Sequence, residues 1–157
     1  MGPSGSGKSV VGAVLATQLS LPFVDADDLH PDANVTKMAA GQPLDDDDRR
    51  PWLDVVARTL REATGGVVIA CSALARRYRD RIRAGAPDTV FVELKVSRAE
   101  LARRMDSREH FMPSTLLASQ LAALEPLEPD ERGVVVVNDR SPGEVADDAI
   151  ERFAALR

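Results

Sequence analysis

The chain has 157 residues, 44% hydrophobic and 29% charged, the proportions of one soluble globular domain with room for a real core. Its 25 acidic and 20 basic side chains leave a formal net charge of −5, which argues against a general nucleic-acid binder with a basic face. No apolar run is long enough to span a bilayer, the first residues do not read as a signal peptide and Cys71 is the lone cysteine, so neither membrane nor internal disulfide is expected, and cytoplasm is the expected compartment.

The first element is a loop. Gly2-x-x-x-x-Gly7-Lys8-Ser9 meets every fixed position of the phosphate-loop pattern. Its glycines let backbone N–H groups turn inward around phosphate oxygens at a helix N-terminus, with Gly2, Ser4, Gly5, Ser6 and Gly7 forming the cradle. Lys8 can reach the β and γ phosphates, and the Ser9 hydroxyl can sit on Mg²⁺. With only three lysines against seventeen arginines, a lysine at this position points to a use for a compact, mobile charge. Only Met1 precedes the loop. The sequence therefore predicts a fold lacking the central strand that usually leads into such a loop, either because the true start lies upstream or because the domain has lost that strand.

Residues 8–19 read as a helix with Val11, Val14, Leu15 and Leu19 inward, and 22–25 as a short strand. A helical stretch over 31–40 stops at Gly41, a C′ glycine. Asp45 to Asp48 precede a helix carrying Trp52, Leu53, Val56 and Leu60, closed by Gly65 and Gly66. Residues 67–71 and 89–95 are buried-strand runs. Ser97 and Glu100 form a capping-box pattern, Ser114 is placed to cap a shorter helix, 133–138 is the last strand, and Ser141-Pro142-Gly143-Glu144 starts the final helix. Apolar strands separated by helices predict an α/β fold, a parallel sheet flanked by helices, in a single domain over 1–157.

The polar run DADDLHPDANVTKMAAGQPLDDDDRRPWL follows the first strand. Asp25 and Asp27 lie two apart at a strand end, so both can face one side. One carboxylate can then hold Mg²⁺ while the other accepts a proton from an attacking hydroxyl. Alone, such a pair would be a solvated turn in an acidic protein; beside a phosphate loop, the chemical reading gains weight.

At these residues the sequence resembles the bacterial-type gluconokinases, relatives of shikimate kinase among the small P-loop kinases. The resemblance is carried by GPSGSGKS (2–9), DADDLHP (25–31), NVTKMAAGQPLDDDDRRPWL (34–53), CSALARRYRD (71–80) and HFMPSTLLASQLAALEPLEPDE (110–131). It implies the P-loop kinase fold with a mobile lid at about 107–125, ATP and Mg²⁺ as cofactors, D-gluconate as substrate, 6-phospho-D-gluconate as product, and assembly as a homodimer.

Carried over residue by residue, the resemblance makes Asp27 the catalytic base, Lys8 the phosphate lysine, and Ser9 and Asp25 the metal side. His30, Lys37, Asp48, Arg49, Ser72 and Arg79 become the substrate candidates, Arg49 and Arg79 as guanidinium forks for the carboxylate. Arg104 and Arg108 lie one turn apart and share a helix face; one would meet adenine and the other the transferring phosphoryl group, while Asn138 borders the base. His110 and Phe111 mark the lid. Arg76, Arg77, Arg81 and Arg83 read as a solvated helix face, Trp52 as core and Cys71 as a small buried hydrophobe. Two departures stand out. Ala26 replaces a glycine common in relatives, and the Arg108-Glu109-His110 link is about a residue tight, which bears on lid closure. The alternatives are another small hydroxy-acid or polyol kinase, such as one for shikimate, and a truncated nucleotide-binding protein without turnover.

Overall fold

The computed structural model describes residues 1–106 and 114–156. In chain order they form α1 (Lys8–Leu19), β1 (Phe23–Asp25), a 3-10 turn (Ala26–Leu29), α2 (Asp32–Ala39), α3 (Asp46–Glu62), β2 (Val68–Ala70), α4 (Arg76–Gly85), β3 (Phe91–Lys95), α5 (Arg98–Asp106), α6 (Ser114–Ala123), β4 (Gly133–Val137) and α7 (Pro142–Ala154). β1 pairs in parallel with β2, Val24 opposite Ile69, and β3 pairs in parallel with β4, Glu93 opposite Val135.

The expected single sheet is therefore two two-stranded sheets among the described residues. Between them stands the backbone of Met1 and Gly2. The Met1 amine donates to the Val92 carbonyl. The Leu94 N–H donates to the Met1 carbonyl at 2.9 Å, and the Gly2 N–H donates to the Ser72 carbonyl at 3.2 Å. A cavity of about 690 Å³ continues the gap, walled by Val11, Leu15, Ile69, Cys71, Val92 and Leu94 among others. Among the described residues, the backbone of Met1 and Gly2 leads into the loop.

Alternation along the strands sends neighbouring side chains to opposite faces. Val68 and Val92 pack with Val11, Leu15, Val136, Val145 and Ala149, while Ile69 and Phe91 pack with Trp52, Leu53, Val56 and Ile82. Helices α1 and α7 accordingly cover one face and α3 and α4 the other, the arrangement expected of parallel strands apolar on both sides. Full burial of each such side chain contributes roughly 1.5–3 kcal/mol. Gly12 lets α1 lie close on β1, because a Cβ there would come within 2.8 Å of the Phe23 ring. Leu19, expected inward, is 37% exposed: the helix turns off at Ser20, whose φ of 55° ends it.

The caps follow the sequence closely. Ser141 and Glu144 satisfy each other's backbone N–H groups at the start of α7, with Pro142 in the first turn. Asp45 and Asp48 do the same for α3. At α5 only half of the expected box forms. Ser97 Oγ accepts from the Glu100 N–H, but the Glu100 carboxylate turns to Arg103 and Arg104.

Arg79, expected to grip substrate, is wholly buried. Its guanidinium meets both Glu131 carboxylate oxygens, at 2.6 and 2.7 Å. It also donates to the carbonyls of Ala73, Leu74, Glu125 and Pro126. No donor remains for a ligand, so the fork belongs to the fold: it ties the turn after β2 to the segment leading into β4. Leaving one charge of such a pair unpaired costs about 3–5 kcal/mol, whereas replacing both with apolar groups is far milder. Arg79→Met should therefore lower the unfolding free energy by about 3–5 kcal/mol in urea melts, and Arg79→Met combined with Glu131→Leu should recover much of it. A double variant no more stable than the single one would contradict this assignment.

Candidate active site

The phosphate loop is built at the bare end of α1. Gly7 is the N-cap residue, held at φ 88°, with no side chain capping the helix and no acidic residue in its first turn. The first-turn N–H groups and the positive end of the helix dipole are thereby left to an external anion. A Cβ on Gly7 would lie 2.5 Å from the Asn138 amide, so glycine is required by space as well as by φ. Asn138 is buried and donates to the Ser6 carbonyl at 2.7 Å, which makes it a brace for the loop from behind. Arg104 reaches the carbonyls of Gly5 and Asn138 and pairs with Glu100 at 2.7 Å. Lys8 Nζ lies 3.0 Å from the Pro3 carbonyl, folded back over the loop. Ser6 Oγ is buried and without a hydrogen-bond partner among the described residues. Gln120 of α6 was not foreseen: its Oε1 accepts from the Ser4 N–H at 2.7 Å, so a helix distant in sequence closes one loop donor.

Asp25 ends β1 and joins the two halves of the site. One carboxylate oxygen accepts from Ser9 Oγ at 2.6 Å and the other from the Asp27 N–H at 3.1 Å. It is thus both the neighbour of the loop's first helical turn and the N-cap of the 3-10 turn that carries Asp27. Asp27 is exposed at the rim of this turn rather than directed into the core. The protein mass around its carboxylate, and then the charge of Asp25, raise its proton affinity, while Lys8 opposes them. Ala26 needs no positive φ and is wholly buried, so the alanine costs this turn nothing in backbone strain.

Trp52 anchors the same turn from α3. Its Nε1 donates to the Ala26 carbonyl at 2.7 Å, and its ring stacks on His30 with centroids 4.2 Å apart and planes 12° from parallel. The expected core tryptophan is therefore also a platform for the site. His30 Nδ1 meets the amide of Asn34, a buried residue whose part was not read from the sequence, although the spacing of four was a legible signal.

The remaining substrate candidates fall into two groups. Lys37 and Asp48 close on one another at 2.5 Å, with Asp45 at 3.5 Å from the same ammonium, and hold α2 against the start of α3. Arg49 stays half-buried at the cleft, its Nη1 donating to the Leu44 carbonyl and to Tyr78 Oη, with the guanidinium over the Tyr78 ring at 5.3 Å. Its Nε and Nη2 have no partner among the described residues. Ser72 is half-buried beside Gly2. Arg77, expected in solvent, grips Asp46 through two nitrogens, and Tyr78 Oη donates to the same carboxylate at 2.5 Å. These contacts hold Asp46 down at about 2. Burial pushes Cys71 up to about 12, which leaves it the inert apolar residue expected. Arg108, His110 and Phe111 lie outside the described residues.

A bare helix end wrapped in glycines, a lysine over it, and a hydroxyl–carboxylate pair joining it to a second acidic residue define a P-loop phosphotransferase. The Shikimate kinase family model matches residues 4–153. The chain is 46% identical over 159 residues to the gluconokinase of Gluconobacter oxydans (strain 621H), covering 99% of this chain and 89% of that protein. It is 42% identical over 142 residues to the thermosensitive gluconokinase of Escherichia coli (strain K12), covering 88% and 76%. A crystal structure of a gluconokinase from Sinorhizobium meliloti 1021 superimposes with a TM-score of 0.91 at 45% identity, covering 99% of this chain and 90% of that one. The chain belongs to the shikimate kinase family, and within it groups with the gluconokinases.

His30 provides a test of the site's electrostatics. Burial first, and the nearby Arg49 second, hold its imidazole down at about 4 from the usual 6.5. Between those values the unfolded chain binds a proton that the folded chain refuses, so stability falls as pH drops from 6.5 towards 4; above 6.5 the group contributes nothing. Urea unfolding at pH 7 and pH 5 should show a smaller loss for His30→Gln than for the wild type. Equal losses would mean that the imidazole is not held neutral.

Proposed function

We infer that this chain is a gluconokinase, transferring the terminal phosphoryl group of ATP to the 6-hydroxyl of D-gluconate to give 6-phospho-D-gluconate. The observation that carries the reading is the Asp25 bridge, because it sets the acidic turn bearing Asp27 against the first turn of the phosphate-loop helix. The choice of gluconate rests on the gluconokinase relatives.

Phosphoryl transfer asks the protein for positioning and charge rather than covalent chemistry. The uncapped amides at the start of α1 cradle the phosphates, and Lys8 places a cation beside the oxygens that gain charge. Ser9 and Asp25 are hard oxygen donors 2.6 Å apart, the type Mg²⁺ takes together with water and substrate phosphates, so the pair fits that ion. When bound, Mg²⁺ neutralises charge developing on the phosphates. Asp27 accepts the proton of the attacking hydroxyl, and its raised proton affinity makes it a stronger base than an ordinary surface aspartate. Arg49, with Nε and Nη2 open among the described residues, is the fork for the gluconate carboxylate. His30 faces the hydroxyls, and Arg104 keeps the loop in place from the side of the nucleotide. Association as a homodimer and a cytoplasmic location complete the reading. No helix among the described residues is long and apolar enough to cross a membrane.

A coupled ADP-release assay with D-gluconate, shikimate and related hydroxy acids tests the substrate. Gluconate should be preferred, and turnover of shikimate alone would replace the reading with its nearest rival. Asp27→Asn should lower kcat about 10²- to 10⁴-fold while nucleotide binding, followed by calorimetry, persists. Near-normal kcat in that variant would remove Asp27 from the role of base.

A further inference from the structure

Asn34 is an amide with a defined orientation. It is buried in the first turn of α2, 4% exposed, and its Nδ2 makes both of its side-chain contacts. One is to the Asp48 carbonyl at 2.8 Å and the other to His30 Nδ1 at 3.2 Å. A carbonyl can only accept, so Nδ2 and not Oδ1 must face Asp48. The second hydrogen of the same nitrogen then points at His30 Nδ1, which must in turn accept. An imidazole that accepts at Nδ1 and stays neutral carries its proton on Nε2. The stack on Trp52 fixes the plane of the ring, leaving only this choice of proton to be made. Nε2 has no protein partner among the described residues and is not among their buried, unpartnered polar atoms, so it is accessible to a ligand.

We propose that Asn34 is a positioning residue that locks His30 as the Nε2–H tautomer, so that His30 presents one neutral hydrogen-bond donor to an oxygen of the acceptor substrate. The proposal rests on the hydroxy-acid reading of this site and adds to it a sense of direction. Arg49 supplies the charge that a carboxylate wants, and His30 supplies a donor without charge, suited to a hydroxyl oxygen. The Asp48 carbonyl enters as the reference that orients Asn34, which makes the start of α3 part of the acceptor site even though the Asp48 carboxylate is occupied by Lys37.

The wild-type chain labelled with ¹⁵N-histidine gives the first test, in the absence of any substrate. His30, recognised by the resonances lost in His30→Gln, should show an unprotonated Nδ1 and a protonated Nε2 at pH 7. A protonated Nδ1 overturns the proposal. Asn34→Asp presents an acceptor in place of the donor and should move a proton to Nδ1. KM for gluconate should then rise roughly 3- to 10-fold, the worth of one neutral hydrogen bond, with KM for ATP little changed. Asn34→Ala, which buries no new charge, should show a mixture of tautomers and an intermediate KM. A folded variant with altered tautomer and unaltered gluconate KM also overturns it. Since the wild-type spectrum is read without substrate, failure to phosphorylate gluconate counts against the substrate reading alone.

Discussion

The site depends on one carboxylate. Asp25 accepts from the hydroxyl that opens α1 and from the amide that opens the 3-10 turn, so one side chain sets the distance between the phosphate cradle and Asp27. A strand end is a suitable place for it: β1 is held in register by β2, and its last residue projects where ligands of open α/β sheets bind. The donors that Asp25 accepts from lie on two different elements. Losing it would free both, and Asp27 would no longer be tied to the phosphate loop.

The loop itself is braced rather than hung. It is gripped by Asn138, by Arg104 and by Gln120 of α6. Each contact engages a loop carbonyl or amide and leaves the first turn of α1 without a side-chain cap, the condition for binding an anion there. On the acceptor side Trp52 plays the corresponding part. Its indole N–H and its ring face act on neighbouring parts of the 25–30 segment, so the largest buried side chain of the core also fixes the geometry of the site.

Buried charge in this protein serves architecture, and exposed charge serves connection. Arg79 and Glu131 are satisfied entirely by one another and by backbone. Arg76 fans out from α4 to Asp80, Glu128 and Asp130, and its own N–H finds Glu125, which caps the helix from a distant segment. The abundance of arginine noted in the sequence thus has a structural use: a flat fork with several donors joins segments that no backbone ladder reaches.

Local signals in the sequence determined the glycine cradle, the capping box of α7, the βα alternation and the Asp25–Asp27 spacing, because each depends on residues within a few positions of one another. The sequence also made Arg79 and Arg49 look alike, two guanidinium groups near a helix start, each a candidate fork for a carboxylate. Only the tertiary structure separated them. Glu131 and four carbonyls from distant segments enclose one, while Tyr78 and a single carbonyl leave the other partly open. The same holds for Asn34, Gln120 and the platform role of Trp52, whose partners are brought up by packing. Propensity and spacing act along the chain, whereas the satisfaction of a buried polar group is decided across it.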